Sequence, residues 1–354
     1  MHRYGGKSVK IHNTPFMNDI STSANKATGM FKSQSAAMAP GTTIGNGTSV
    51  DHAHEYIEVH DRRSRRVIAE KRLEPTEYRS LANSIVFINA GTAYCTVGHH
   101  DFSARFFSTT DGALLYRLLQ HTSIVGCVAA SAGGTLLGFG STDGTISVWK
   151  VATIASTLLD TIKLFRGSKS QAKPVHASDY AADQVLLGHS GEVTCLVLSN
   201  DLGVCVSGSA CNECLIHDLS DGSILRQLEI PGRSAPGVTL LALSPLGHIV
   251  LQSLGDGVPM LYSFHLNGTF MAKVALGEKP MRSLSICTRY TRVIVSNADE
   301  AVSFSAHALA NRVVLLDRSA HGEIACQALS PDETHVVFGV GVAKVVSIAL
   351  TPAL

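Results

Sequence analysis

From about residue 55 onward, short apolar runs alternate with polar clusters along the whole chain. The runs are rich in Val, Ile, Thr and Cys, and most of these residue types favour strands. The clusters between them are rich in Ser, Asp, Asn, Gly and Pro, which is typical of turns. Segments that could form long helices are nearly absent. The pattern therefore predicts an all-β fold over residues 55–354.

A repeated unit is visible within this region. In each copy an apolar strand ends in a small polar residue, a turn follows, and a second apolar strand begins. Four of the five intervals match the period of about 40–45 residues expected for a four-stranded propeller blade. The longest interval contains a polar stretch at about 160–183, which predicts an exposed insertion. The six turns begin at Asn89, Ser131, Ser199, Ser244, Thr288 and Ser330, at intervals of 42, 68, 45, 44 and 42 residues.

The second half of two copies reads as a hairpin. Residues 104–107 lead through Asp-Gly into residues 114–118, and residues 215–218 lead through a second Asp-Gly into residues 224–228. Asp-Gly between apolar strands is a strong hairpin signal. Because one blade cannot bury both of its faces alone, the blades must stack on one another around an axis. The prediction is a β-propeller of four-stranded blades, with six copies visible.

The sixth copy, residues 323–350, contains only three strand-like segments. The segment Val67–Leu73 resembles a fourth strand and is a candidate to close the ring from the N-terminal side. Residues Tyr56–Val59 would then be the third strand of a further blade whose first half is degenerate. Closure matters because an unpaired sheet edge invites aggregation.

Residues 1–54 have a different composition from the rest of the chain. The first fifty residues contain no leucine, are rich in Ser, Thr and Gly, and carry five basic residues against one acidic residue. This composition predicts a disordered basic tail. A mitochondrial transit peptide, which is also Ser-rich and poor in acids, is the alternative interpretation.

Composition and charge exclude several classes of protein. The chain is 45% hydrophobic and 16% charged, with a formal net charge of +1, so it is not disordered as a whole. A nearly neutral chain exerts no long-range attraction on nucleic acid, and no nucleic-acid partner is predicted. The longest apolar stretch, Val336–Leu350, is too short and too interrupted for a membrane-spanning helix. Eight cysteines lie mostly in apolar runs, which indicates buried thiols in a reducing compartment.

One copy carries a motif from which the type of repeat can be recognised. His121 and Trp149 lie 28 residues apart, with Ser141 and Asp143 in a turn between them. This arrangement resembles the WD repeat, in which Asp accepts a hydrogen bond from His and a strand hydroxyl links the His to the Trp indole. The family's usual hydroxyl position is Phe139 here. The resemblance implies that these residues hold a blade together and are not catalytic.

The next copy fits the pattern in part. His189 follows a glycine, and Ser207 lies at the hydroxyl position of the second strand. Cys211 stands at the Asp position and His217 at the Trp position, so the network is expected to be incomplete. The pair Cys211 and Cys214 lacks the second pair that a structural zinc site needs, and no metal site or cofactor is predicted.

The residues that depart from the WD pattern resemble those of one family of propellers. The chain from about Ser84 to Leu350 resembles the C-terminal propeller of neurobeachin-type BEACH proteins, which implies seven blades. That family places a BEACH domain and a lipid-binding-like domain before the propeller, so the chain is expected to be either a fragment or a free-standing propeller. The segments that carry the resemblance are 97–101, 104–106, 110–112, 192–195, 214–217, 225–228, 247–250 and 264–268.

The resemblance implies a non-catalytic protein-interaction scaffold in vesicle trafficking and membrane-protein sorting. The expected partners are other proteins, bound through propeller faces and loops, and no small-molecule substrate is expected. The expected location is the cytoplasm, with peripheral association with endomembranes through partners.

Two other functions are weaker alternatives. Residues 164–167 resemble the Phe-Arg-Arg-Gly signature of phosphoinositide-binding propellers, which makes Arg166 a candidate lipid contact. A propeller enzyme is suggested only by the run His99-His100-Asp101. Neighbouring residues on a strand point to opposite faces, so this run is expected to form a turn between strands and not one site.

Overall fold

The computed structural model describes residues 7–12, 31–33, 55–61, 67–73, 84–88, 93–109, 112–152, 182–230, 237–254, 258–330, 332–341 and 344–351. These residues form seven sheets, six of four strands and one of three. The prediction of an all-β propeller of four-stranded blades is confirmed. Besides the six predicted copies there is one further sheet, which comes first along the chain.

The first sheet has the order β2-β1-β3-β4. Its strands are β1 (Lys7–His12), β2 (Phe31–Ser33), β3 (Glu55–Asp61) and β4 (Val67–Leu73). Strands β1 and β2 pair parallel, whereas β1 with β3 and β3 with β4 pair antiparallel.

Two of these strands, β1 and β2, lie inside the segment 1–54 for which the composition predicts disorder. The rest of that segment lies outside the described residues, so the boundary at residue 54 stays a prediction. The candidate closing strand Val67–Leu73 is indeed a fourth strand, but it pairs with β3 and not with the last blade. The reason is that β1 and β2 supply the other half of this sheet, which the sequence pattern does not reveal, so β3 and β4 belong to a blade of their own.

The following five sheets are antiparallel blades in which consecutive strands pair. Their strands are β5 (Ile85–Ile88), β6 (Ala93–Thr96), β7 (Ser103–Ser108), β8 (Leu114–Leu119), β9 (Val125–Ala130), β10 (Leu136–Ser141), β11 (Ile146–Lys150), β12 (Gln184–Leu186), β13 (Val193–Ser199), β14 (Val204–Ser209), β15 (Cys214–Asp218), β16 (Ile224–Leu228), β17 (Val238–Leu243), β18 (His248–Ser253), β19 (Met260–His265), β20 (Phe270–Ala275), β21 (Ser283–Cys287), β22 (Arg292–Ser296), β23 (Glu300–Ser305) and β24 (Val313–Asp317).

The last sheet has three strands within the described residues, β25 (Ile324–Leu329), β26 (His335–Val340) and β27 (Lys344–Ala349). A four-residue helix, Arg318–His321, joins it to the preceding blade, and Asp317 caps this helix by accepting a hydrogen bond from the Ser319 amide at 2.7 Å. Five of the six turns of the repeat lie between the first and second strands of a blade, as predicted, and the turn at Asn89 lies outside the described residues.

A recurring backbone hydrogen bond shows that the blades are copies of one unit. The residue after the third strand donates its N–H to the residue before the second strand, which closes the strand pair. The donor–acceptor pairs are Val151–Thr135 (2.8 Å), Leu219–Gly203 (2.8 Å), Leu266–Gly247 (2.7 Å), Ala306–Thr291 (2.8 Å) and Leu350–Thr334 (2.7 Å).

The blades follow one another around a ring in chain order. The first strands of neighbouring blades contact each other from β5 through β9, β13, β17 and β21 to β25, and β2 contacts β25 and β26. Every residue of β9, β14 and β18 is buried, because these strands are covered on both faces. Apolar clusters fill the space between consecutive blades, which explains the low proportion of charged residues.

The predicted insertion separates the third and fourth strands of one blade. β11 ends at Lys150 and β12 begins at Gln184, yet the two strands pair. Residues 153–181 lie outside the described residues. Seven of the eight cysteines are buried thiols, and Cys211 is exposed. Within the described part of the chain, no helix is long and apolar enough to cross a bilayer.

Candidate interaction surface and its supporting hydrogen bonds

The WD-type residues of the β9–β12 blade form a connected set of hydrogen bonds around His121. Its Nδ1 lies 2.9 Å from Thr145 Oγ1 and its Nε2 lies 2.9 Å from Ser147 Oγ. Thr145 in turn donates its hydroxyl to Asp143 Oδ1 at 2.6 Å. Ser141 lies beside this chain of bonds, where its hydroxyl accepts from the Asp143 amide at 3.3 Å. The turn is thereby tied to the strand that follows it.

These contacts assign one neutral form to His121. Because the Thr145 hydroxyl proton is given to Asp143, Thr145 Oγ1 accepts from His121 Nδ1–H, and Nε2 accepts from Ser147. Burial lowers the pKa of His121, although the nearby Asp143 partly opposes the shift. Burial of Asp143 would raise its pKa, but the hydrogen bonds from the Thr145 hydroxyl and amide hold it below its usual value.

Trp149 is buried but stands outside this chain of bonds. Its side chain packs in the apolar cluster between the first two antiparallel blades, and its indole N–H has no hydrogen-bond partner within the described residues. The usual hydroxyl position is Phe139, as the sequence indicates. Ser147 lies directly opposite Phe139 on the neighbouring strand and supplies the hydroxyl that His121 needs. The hydroxyl that binds the histidine therefore lies on the third strand of the blade and not on the second. From there it does not link His121 to the Trp149 indole.

The β13–β16 blade builds the same arrangement with a different carboxylate. His189 Nε2 lies 2.8 Å from Ser207 Oγ, and Nδ1 lies 3.3 Å from Glu213 Oε2. Glu213 also accepts from the Ser190 hydroxyl at 2.6 Å and from Ser209 at 3.1 Å. Burial lowers the pKa of His189 against the opposing effect of Glu213. Burial would raise the pKa of Glu213, but its hydrogen bonds hold it below the usual value.

Glu213 is the functional residue of this blade that sequence reasoning missed. Cys211, which occupies the Asp position, is exposed, and the carboxylate comes from a position two residues later. Glu213 directly precedes the third strand, as Thr145 does in the previous blade. The longer Glu side chain spans the distance that Thr145 and Asp143 cover together. An acidic residue anywhere in the turn, not only at the Asp position, is the signal that would have found it.

His217 occupies the Trp position of this blade and is fully buried. Its Nε2 donates to the Leu187 carbonyl at 3.0 Å, which links the blade to the fourth strand of its neighbour. Its Nδ1 has no partner within the described residues, and burial lowers the pKa of the ring. His217 is therefore a neutral histidine that joins two blades.

The run His99-His100-Asp101 lies in the turn between β6 and β7, as predicted. His99 is buried and its Nε2 lies 2.8 Å from Thr96 Oγ1, whereas His100 is exposed. Asp101 accepts from Arg105 at 3.1 Å and also binds Arg117. Since His99 is buried against Thr96, His100 is exposed and Asp101 binds two arginines, the three side chains do not converge on one site.

An exposed apolar surface lies at the outer rim, where two blades meet. The end of β12 runs beside the start of β16: a Cβ added to Gly188 would lie 2.6 Å from Ile224 Cδ1, and one on Gly222 would lie 3.4 Å from Leu186 Cδ2. Gly188 also has a positive φ of 133°, which a side chain would strain. We call the exposed residues here the rim patch, which consists of Val185, Leu187, Ile224 and Leu225.

The rim patch is more apolar than a solvated fourth strand requires. Leu187 is 61% exposed and Leu225 is 52% exposed. Single exposed apolar residues are ordinary, but here exposed apolar residues of two blades lie close to their common boundary, which makes the rim patch a candidate binding surface. The candidate lipid contact Arg166 belongs to the insertion and lies outside the described residues, so its role stays a prediction.

Comparison with known proteins identifies one family. A family model described as "Neurobeachin beta propeller domain" matches residues 45–346. "BEACH domain-containing protein B" of Arabidopsis thaliana is 34% identical over 177 residues, which cover 49% of this chain and 6% of that protein. "Protein SPIRRIG" of Arabidopsis thaliana is 26% identical over 212 residues, which cover 59% of this chain and 5% of that protein. The matched regions are thus small parts of both relatives.

A solved structure supports the fold. A chain of the "Crystal Structure of Mitotic Checkpoint Complex" superposes with a TM-score of 0.61 at 15% sequence identity, over 99% of this chain and 94% of that chain. At this level of identity the likeness is evidence of a shared propeller fold alone.

Proposed function

Because this chain belongs to the neurobeachin β-propeller family of BEACH proteins, we propose that it is a scaffold in vesicle trafficking and membrane-protein sorting. Propellers of this WD type generally bind other proteins and are generally non-catalytic. A rigid ring offers two faces and a rim whose variable residues select partners. The proposed location is the cytoplasm, with peripheral attachment to endomembranes through the bound partners.

The rim patch is the observation that carries the proposal. It presents apolar side chains from two blades, and the blades beneath it are held together by the bond from His217 to Leu187. A partner that covered these side chains would remove apolar surface from water, which stabilises association by about 25 cal/mol per Å² buried before the costs of binding are subtracted. A preformed surface keeps those costs low, since little has to be ordered when the partner binds.

Proximity labelling in cells tests the proposal. The full chain fused to a biotin ligase is expected to label vesicle-coat and sorting proteins at endomembranes. The double variant Leu187→Asp and Leu225→Asp is expected to lower their enrichment by at least about fivefold, because it places charges in the apolar contact. Both positions are exposed, so the fold is expected to survive the changes.

Val314→Asp provides the matched control. Val314 is similarly exposed, on the fourth strand of a distant blade. This variant is expected to label the same proteins as the unaltered chain. Labelling that equals that of the ligase alone, or that is unchanged by the double variant, would contradict the proposal.

A further inference from the structure

In the part of the chain that the structure describes, the last blade has an open edge. Strand β27 pairs with β26, with Ser347 opposite Val337. Within the described residues no strand pairs with the other side of β27, whereas the third strand of each of the five preceding blades is paired with a fourth. Among these residues, the outer side of β27 is therefore a third-strand edge that no fourth strand covers.

The hydrogen bonds of β27 show which backbone groups face this edge. The Leu350 amide donates to the Thr334 carbonyl at 2.7 Å, so Leu350 faces β26. In an antiparallel pair the groups alternate, which turns the N–H and C=O of Val345, Ser347 and Ala349 toward the open edge. The β9–β12 blade supports this assignment: the Lys150 amide, equivalent to that of Ala349, donates outward to Asp183 Oδ2 at 2.7 Å.

The side chains of β27 lack the cover that equivalent residues have elsewhere. The third residue from the end of the third strand is Ser263, Ser303 or Ser347 in the last three blades. The first two serines are buried, but Ser347 is exposed. The next residue is a buried phenylalanine in two of these blades, Phe264 and Phe304, whereas Ile348 is only partly buried. The sequence of β27 suits a covered strand, and its apolar residues are only half covered.

The other blades also show what the missing strand would contribute. In four of them a buried leucine on the fourth strand lies opposite the fifth residue from the end of the third strand, and the remaining blade has Val274 there. The equivalent residue in the last blade is Val345, which is only partly buried. The four leucine pairs are Leu118–Ala104, Leu186–Ile146, Leu228–Cys214 and Leu316–Ala301.

We infer that β27 binds an extended peptide of a partner protein as the fourth strand of the last blade. The peptide runs antiparallel to β27 and places a leucine opposite Val345. The N-terminal strand Val67–Leu73, which was the candidate to close this blade from within the chain, is paired with β3 and so does not cover the edge. This inference rests on the proposed scaffold function and gives it a mode of recognition, in which backbone bonds supply affinity and the leucine supplies specificity.

A synthetic peptide taken from the chain itself is the probe. Acetylated and amidated Ser-Ile-Leu-Arg-Gln-Leu-Glu copies residues 223–229, which include the fourth strand β16 and its anchor Leu228. Fluorescence anisotropy with the full chain is expected to show saturable binding. The same peptide with alanine in place of the Leu228 equivalent is expected to bind at least about tenfold more weakly, which corresponds to about 1.4 kcal/mol.

Two changes remove backbone hydrogen bonds between β27 and the peptide, one by altering β27 and the other by altering the peptide. Ser347→Pro deletes one outward N–H at the centre of β27, and proline is tolerated at edge positions whose N–H faces away from the sheet. This variant is expected to weaken binding at least about tenfold, whereas Ser347→Ala, which keeps the N–H, is expected to bind normally. A peptide methylated on its backbone nitrogens is expected to lose binding to the unaltered chain, which gives a result that does not depend on how the proline variant folds.

Three results would overturn the inference. The first is no saturable binding, together with slow hydrogen exchange at Val345, Ser347 and Ala349, which would show that other residues of the chain cover the edge. The second is binding that neither Ser347→Pro nor peptide methylation affects. The third is a dimer of the chain that Ser347→Pro dissociates, which would assign the edge to a second copy. Proximity labelling that still depends on Leu187 and Leu225 would leave the scaffold function standing in each case.

Discussion

At the scale of single residues, two blades solve the same local problem with different atoms. A buried histidine needs a donor on one nitrogen and an acceptor on the other. His121 is satisfied by Ser147 and Thr145, and His189 by Ser207 and Glu213. The requirement is therefore for a hydroxyl and an oxygen acceptor within reach of the ring, and not for particular residues at particular positions.

Because the buried indole N–H of Trp149 has no hydrogen-bond partner among the described residues, two substitutions in this blade are expected to differ in their effect on stability. Trp149→Phe removes an unsatisfied buried N–H along with some apolar contact, so it is expected to change the free energy of unfolding by less than about 1 kcal/mol. Ser147→Ala leaves His121 Nε2 buried without its donor, and is expected to cost about 1–3 kcal/mol. Urea denaturation at neutral pH measures both values. A Trp149→Phe variant that loses more stability than Ser147→Ala would show that the indole is bonded.

The buried histidines predict how stability depends on pH. Burial lowers the pKa of His121, His189 and His217 below the ordinary histidine value of 6.5. Above this value both folded and unfolded chains hold neutral rings, so the stabilising contribution is complete. As the pH falls below it, the unfolded chain takes up protons that the folded chain does not, and the free energy of unfolding is expected to decrease. The loss is expected to develop as the pH falls from about 7.5 to about 5.5, and urea denaturation at these two pH values measures it.

The variant His217→Phe isolates the contribution of His217 to this pH dependence of stability. Phe264 and Phe304 occupy the same position in two other blades, so the side chain fits the site. The variant is expected to lose less stability than the unaltered chain over the same pH interval, because it has no ring at this position that titrates. Carboxylates such as Asp143 and Glu213, whose pKa values are lowered, lose their contribution only in more acidic solution, below about pH 5. An unchanged dependence in urea denaturation at the two pH values would contradict the assignment of His217 as neutral.

Sequence reasoning locates the histidines but not all their partners. His121, Asp143 and Trp149 stand at a recognisable spacing, because the blade geometry constrains them. Ser147 and Glu213 could not be found in the same way, since their roles depend on which strand faces the ring across the sheet. Cross-strand contacts are set by register, and register is visible only once the strands are paired.

At the scale of elements, turns are the most predictable part of the fold. The turns at Ser131 and Ser244 could be placed because a small polar residue followed by glycine has local reasons to bend the chain. Strand β1 could not, although Val9 and Ile11 alternate with polar residues, because a short alternation in a polar segment is weak evidence of a strand. Its pairing with β3, far along the chain, provides the missing stabilisation.

At the scale of the whole molecule, side chains link each blade to the next, so the ring depends on every blade. Gln252 binds both the carbonyl and the amide of Met281 on the following blade. Glu333 of the last blade accepts the Thr288 hydroxyl at 2.6 Å and the Arg289 amide at 2.8 Å. Each blade thus buries its faces only because its neighbours are present, and loss of one blade exposes the two beside it.

Deletion of the N-terminal strands tests directly whether the ring depends on every blade. Deletion of residues 1–54 removes β1 and β2, so β3 keeps β4 but loses its other partner, and the last blade loses the contact of β2 with β25 and β26. The shortened chain is expected to melt at least about 4 °C lower and to scatter more light on heating, because newly exposed strand edges associate. A disordered tail would make no such contribution. Differential scanning fluorimetry with light scattering distinguishes the two cases: an unchanged melting temperature and unchanged scattering would assign residues 1–54 to a tail and leave the first sheet with β3 and β4 alone.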